Sequence, residues 1–198
     1  MRKLFLFIVC FILFGVGIKA QRFPQAVLPG DYPDPSILCD GKNYYMTHSP
    51  FYYAPGFLIW HSTDLIHWEP VCRALPEYEG SAMAPDLLKY QGRYYIYYPT
   101  STGENFVIYA DNIRGPWSKP VKLDVKGIDP GHVVGEDGKR YLFTNNGWIT
   151  PLSDDGLKVT GKSRKVYDGW EYPANWVTEG KDMYLESPKL LYKDGLST

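Results

Sequence analysis

Cysteine is scarce in this chain. Of the three among 198 residues, Cys10 falls in the N-terminal apolar run, which leaves Cys39 and Cys72. They could pair in an oxidising compartment, but two small buried hydrophobes is the expected reading. Basic clusters are also missing, which sets nucleic acid aside as a partner. The four histidines, His48, His61, His67 and His132, show no ligand spacing. Polar contacts in strands and turns are expected of them, and neither a metal nor another cofactor is. No stretch has a convincing helical period. Leu4 to Ile18 is the long apolar run, and it falls short of the ~20 residues a membrane-spanning helix needs.

That run has the form of an export signal. Arg2 and Lys3 precede it, and Ala20 offers a small residue before Gln21, so residues 1–20 are read as a signal peptide. The expected location is secreted or periplasmic, with no membrane association after cleavage. Residues 21–198 then form one domain, long enough for a real core. The 21 basic residues less Arg2, Lys3 and Lys19 leave 18 against 22 acidic ones, a mildly acidic balance. Aromatic residues make up 16% of the chain, tyrosine foremost. In an exported protein this raises the prior for sugar contacts, although half-buried strands use the same residues.

A repeated pattern organises the chain. Asp34-Pro35 leads into the apolar Ser36–Cys39 and the turn Asp40-Gly41. Asp129-Pro130 leads towards Asp137-Gly138, and Glu186-Ser187-Pro188 towards Asp194-Gly195. Ala84-Pro85-Asp86 leads towards Gln91-Gly92, with alanine where the others have acid. Pro33 and Pro35 restrict the backbone about Asp34 and bias the residue before each towards extended geometry. Between these openings lie short strand patterns bounded by turns: 35–39, 44–48, 57–62 and 68–73, then 86–90, 94–98, 106–110 and 117–123. A third unit follows at 132–135, 140–144, 148–152 and 157–166.

Four-strand units about 40–50 residues apart predict an all-β fold, a β-propeller rather than a β-sandwich. In a blade the first strand lies nearest the axis, so its opening residue faces the middle. One rim then gathers residues 49–56, 75–83, 100–105, 145–147 and 168–185. Phe51, Tyr52, Trp170 and Trp176 become candidate walls of a sugar pocket, with Asp34, Asp129 and Glu186 at its centre. Inverting glycoside cleavage needs one ionised and one protonated carboxyl, ~6.5–9.5 Å apart to admit water. A third carboxylate nearby would keep the acid protonated by repulsion, and Asp129 suits that place.

The residues also resemble a known family. DYPDPSIL, GIDPG and LESPKLLYKDG, with PGFLIWHSTDLIHW (Pro55–Trp68), APDLLKYQGRYYIYYP and RGPWSKP, are similar to family 43 glycoside hydrolases over nearly all of residues 21–198. The resemblance implies an inverting five-bladed propeller enzyme, of β-xylosidase or α-L-arabinofuranosidase type. Its partners would be xylan, arabinoxylan or arabinan fragments. Asp34 is implied as general base, Asp129 as pKa modulator and orienting group, and Glu186 as general acid. Met83 stands where many relatives carry an aromatic residue, so the resemblance implies it as an altered wall of the sugar subsite. Three blades and the first strand of a fourth are expected in this chain, which reads as the N-terminal portion of such a domain. The rival expectation is a carbohydrate-binding propeller without turnover.

Overall fold

The computed structural model describes residues 26–78, 80–168 and 185–189, together with the backbone of 192–193 and 196–197. The expected leader at 1–20 lies outside these residues, as do Trp170 and Trp176. Three four-stranded antiparallel meanders follow one another along the chain. The first comprises β1 (Ser36–Asp40), β2 (Asn43–Thr47), β3 (Gly56–Ser62) and β4 (Glu69–Leu75). The second comprises β5 (Asp86–Tyr90), β6 (Arg93–Pro99), β7 (Asn105–Ala110) and β8 (Val121–Leu123). The third comprises β9 (Gly131–Val134), β10 (Arg140–Thr144), β11 (Trp148–Pro151) and β12 (Arg164–Lys165). A hairpin of β13 (Tyr192–Lys193) and β14 (Leu196–Ser197) follows. These are propeller blades, with the opening of a fourth.

Strand β6 explains the stacking. Its sequence RYYIYYP is apolar at successive positions, which suits a strand buried on both faces. Tyr94, Ile96 and Tyr98 turn towards Phe57, Ile59, Ala74 and Leu75 of the first blade. Tyr95 and Tyr97 turn the other way, to a cluster with Leu142 and Leu152 of the third. Period-two alternation thus distributes one strand between two interfaces.

The second interface is more polar. Arg140 is 1% exposed, with its guanidinium 4.5 Å from the ring centres of both Tyr90 and Tyr95. It donates to His132 Nε2 at 2.9 Å, to the Asp154 carbonyl at 3.2 Å and to the Tyr97 hydroxyl at 3.1 Å. Burial, with the Arg140 charge second, pushes the His132 imidazole down to about 3. Accepting at Nε2, the neutral ring carries its proton on Nδ1.

Several local expectations are corrected. β8 begins at Val121 rather than Trp117, because Pro120 has no N–H to give the ladder. β12 keeps two residues of the expected ten. Residues 157–160 instead fold back through Lys158 N–H to Ser153 Oγ and Thr160 N–H to the Pro151 carbonyl. Cys39 is exposed rather than buried, and both Cys39 and Cys72 are free thiols.

Candidate active site

The blade openings share a backbone conformation. Asp34, Ala84, Asp129 and Ser187 each precede a proline, and their φ values are 53°, 40°, 56° and 53°. The extended geometry expected before proline is therefore not adopted at Asp34. Proline disfavours the right-handed helical region for its predecessor, and here the left-handed region is taken instead. Aspartate tolerates it well, whereas Ala84 holds it at a strain of about 1–2 kcal/mol.

This register also moves the third acid. Ser187, not Glu186, stands at the position of Asp34 and Asp129. Glu186 lies one residue earlier, level with Pro33, Met83 and Ile128.

Rim loops clamp these openings. Ser49 N–H donates to the Pro33 carbonyl at 2.9 Å, Asn145 N–H to Ile128 at 2.9 Å and Met83 N–H to Pro99 at 3.0 Å. Asn146 N–H donates to the Leu185 carbonyl at 2.7 Å, just ahead of Glu186. Phe51 pairs with Ala82, and Ala82 with Thr100, so the loops of the first two blades do meet on one rim.

At the centre is a hollow of about 220 Å³, lined by Asp34, Pro35, Ala84, Pro85, Asp129, Pro130, Ser187 and Lys189. The structure thus brings Asp34 and Asp129 to one wall-to-wall space. Glu186 is exposed and is not part of that wall, although its neighbour Ser187 is. Phe51 is half-buried and lines a second cavity of about 390 Å³, which also takes in Pro33, Ser49, Tyr53 and Trp60. Tyr52 is 75% exposed. Met83 is half-buried and lines neither space.

Ser49 escaped the sequence reading. Its hydroxyl donates to Asp34 Oδ2 at 2.5 Å and accepts from Ala84 N–H at 2.6 Å. It is buried, so the carboxylate is aimed by a group with little freedom of its own. Ser187 does the corresponding work on Asp129, with N–H and Oγ at 3.2 and 3.4 Å from Oδ2. Asp129 is 9% exposed. Burial pushes its carboxyl above the ordinary value, the Asp34 charge adds to the rise, and the Ser187 donors and Lys189 oppose it. Neither serine has a sequence signal of its own; only the alignment of Ser187-Pro188 on Asp34-Pro35 would have marked one of them. Among the described residues no cluster of three metal-ligating side chains occurs.

Residues 23–197 match the family described as glycosyl hydrolases family 43. The chain is 32% identical to a xylosidase/arabinosidase of Butyrivibrio fibrisolvens over 195 residues, 85% of this chain and 36% of that protein. It is 30% identical to a beta-xylosidase of Bacillus subtilis, again over 36% of the relative's length. The crystal structure of a xylan beta-1,4-xylosidase from Bacillus halodurans superposes with a TM-score of 0.71 at 31% identity, over 88% of this chain and 37% of that one. The chain spans just over a third of the length of these relatives. Repeated acid-proline openings, three meandering blades and a shared central hollow agree with that match, and the chain belongs to glycosyl hydrolase family 43.

Proposed function

We propose that this chain carries the catalytic centre of an exported, inverting glycosidase that cleaves xylosyl or arabinofuranosyl linkages in plant cell-wall polysaccharides. The observation that carries the reading is the pairing of Asp34 and Asp129 in one small hollow, with the segment bearing Glu186 fastened to Asp129 through Ser187. Asp34 accepts a proton from water as that water attacks the anomeric carbon. The bond from that carbon to the glycosidic oxygen breaks, and Glu186 gives its proton to the departing oxygen. Asp129 orients the sugar from the opposite wall of the hollow. Phe51 and Tyr52 present apolar surface to the sugar ring from the rim. A leader at 1–20 accounts for meeting a polysaccharide outside the cell.

The relatives support the substrate class, since one is called a xylosidase/arabinosidase and another, from Bacteroides ovatus, a non-reducing end alpha-L-arabinofuranosidase. The test is release of nitrophenol from aryl β-xyloside and aryl α-L-arabinofuranoside, with NMR detection of the first anomer formed. Turnover with inversion that Asp34→Asn and Glu186→Gln both abolish is the expected result. Turnover unaffected by Glu186→Gln would remove the acid assignment. Binding of xylo-oligosaccharides with no hydrolysis would replace the enzyme by a carbohydrate-binding propeller.

A further inference from the structure

The residue after each opening proline ties one blade to another. In the first blade it is Ser36, whose Oγ accepts Leu87 N–H of the second at 3.0 Å. In the second it is Asp86, whose Oδ2 accepts His132 N–H of the third at 2.8 Å. The third has Gly131, which makes no such tie and leaves a gap. A Cβ there would stand 1.9 Å from the Pro188 carbonyl oxygen, so the opening of the fourth blade comes in against bare backbone. The fourth has Lys189. Its ammonium passes the third blade and reaches Asp86 Oδ1 at 2.6 Å. One buried carboxylate of the second blade thereby holds a backbone amide of the third and a side chain of the fourth.

We propose that Lys189 is a positioning residue for this site: its clasp on Asp86 seats the Glu186-Ser187 segment against Asp129 and sets a positive charge in the wall of a hollow that otherwise holds two acids. Asp86 is 10% exposed at its side chain and Lys189 52%, so the pair is anchored at its buried end. A charge-assisted bond to a buried acceptor outweighs an exposed surface pair. Ser187 is two residues from Lys189 and makes the bonds to Asp129, so the clasp fixes the segment on one side and Asp129 on the other. The charged groups acting on Asp129 are Asp34 from the first blade and Lys189 from the fourth. The inference rests on the glycosidase reading only for the meaning it gives to Glu186.

The test is hydrogen exchange at the Ser187 amide, together with carboxyl-carbon NMR titration of Asp129, in the wild type, Lys189→Met and Lys189→Arg. Lys189→Met should speed Ser187 exchange about tenfold, as expected when a charge-assisted anchor is lost, and should move the Asp129 midpoint upward. Lys189→Arg should restore both. Amides of β6 and β7 serve as the internal reference, and their unchanged exchange certifies that the variant is folded. Unaltered Ser187 exchange and an unmoved Asp129 midpoint in Lys189→Met would overturn the proposal. So would failure of arginine to restore either, because a role in packing alone does not follow charge. None of these readouts needs turnover, so an inactive chain would count against the enzyme reading and leave the clasp standing.

Discussion

Asp34 and Asp129 occupy the same place in two blades, with almost the same backbone, yet they sit in different surroundings. Asp34 is exposed and receives one short bond from the Ser49 hydroxyl. Asp129 is buried, receives two longer bonds from Ser187, and is pushed towards its neutral form by burial. The repeat delivers both carboxylates to one hollow, and the neighbours decide what each can do there. A wetted, oriented carboxylate suits an acceptor of a water proton. A desolvated one beside it suits a fixed partner for sugar hydroxyls and for the charge state of its neighbours.

That contrast can be broken most severely at Asp34. Asp34→Asn removes the proposed proton acceptor and should lower kcat by about 10²–10⁴-fold with KM little changed; steady-state kinetics on aryl xyloside checks this. Gly131→Ala comes next. The added methyl would have to displace the Pro188 backbone, carrying Glu186 and Ser187 away from Asp129. A loss of kcat of about 10²-fold is expected from misplaced catalytic groups, with the first two blades retaining their amide protection.

Ser49→Ala leaves the half-buried Ala84 N–H without its acceptor and frees the Asp34 carboxylate. It should cost about 1–3 kcal/mol in urea unfolding and lower kcat by a smaller factor than Asp34→Asn. The mildest change is Tyr52→Ala. Because the ring is exposed, stability should hold within about 0.5 kcal/mol, and only KM should rise if the ring serves the sugar.

The interfaces between blades repeat the contrast on a larger scale. Between the first and second blades the buried cluster is apolar, and its polar ties, such as Lys89 and Tyr94 to Asp40, lie at the margin. Between the second and third a guanidinium and a neutral imidazole are buried together. His132 therefore makes stability depend on pH in a defined direction. Its folded pKa of about 3 lies below the ordinary 6.5, so between these values the unfolded chain binds more protons than the folded one. The stabilisation is complete above about pH 6.5 and is lost progressively as the pH falls towards 3. Asp129 acts in the opposite sense, since its raised value makes the folded chain bind more protons, and stability falls as pH rises from 3.8. In His132→Gln the acid-side loss between pH 6.5 and 4 should shrink, and in Asp129→Asn it should steepen. Urea midpoints across that range decide both.

Much of the fold was legible because strand alternation and turn residues are local. Tyr94 to Tyr98 reads as a strand, and only the packed blades show that it is buried on both faces. β8 and β12 are shorter than the expected 117–123 and 157–166, because Pro120 has no donor for the ladder and residues 157–160 fold back on the chain. The left-handed openings were not legible either. Proline argues for an extended predecessor, and only the rim bonds and inter-blade ties hold Asp34 and its counterparts elsewhere. Glu186 stands two residues before its proline where Asp34 and Asp129 stand one before theirs, and the left-handed backbone falls on Ser187.

Sequence alone determined the alternation of strands and turns, the return of an acid before proline, and with these the propeller and its family. Those are properties of neighbouring residues, written in spacing and composition. Tertiary structure decided which carboxylate is wet and which is dry, which serines aim them, and that Lys189 reaches across Gly131 to Asp86. Such facts depend on groups far apart in the chain, and burial and electrostatic fields exist only once the blades have packed.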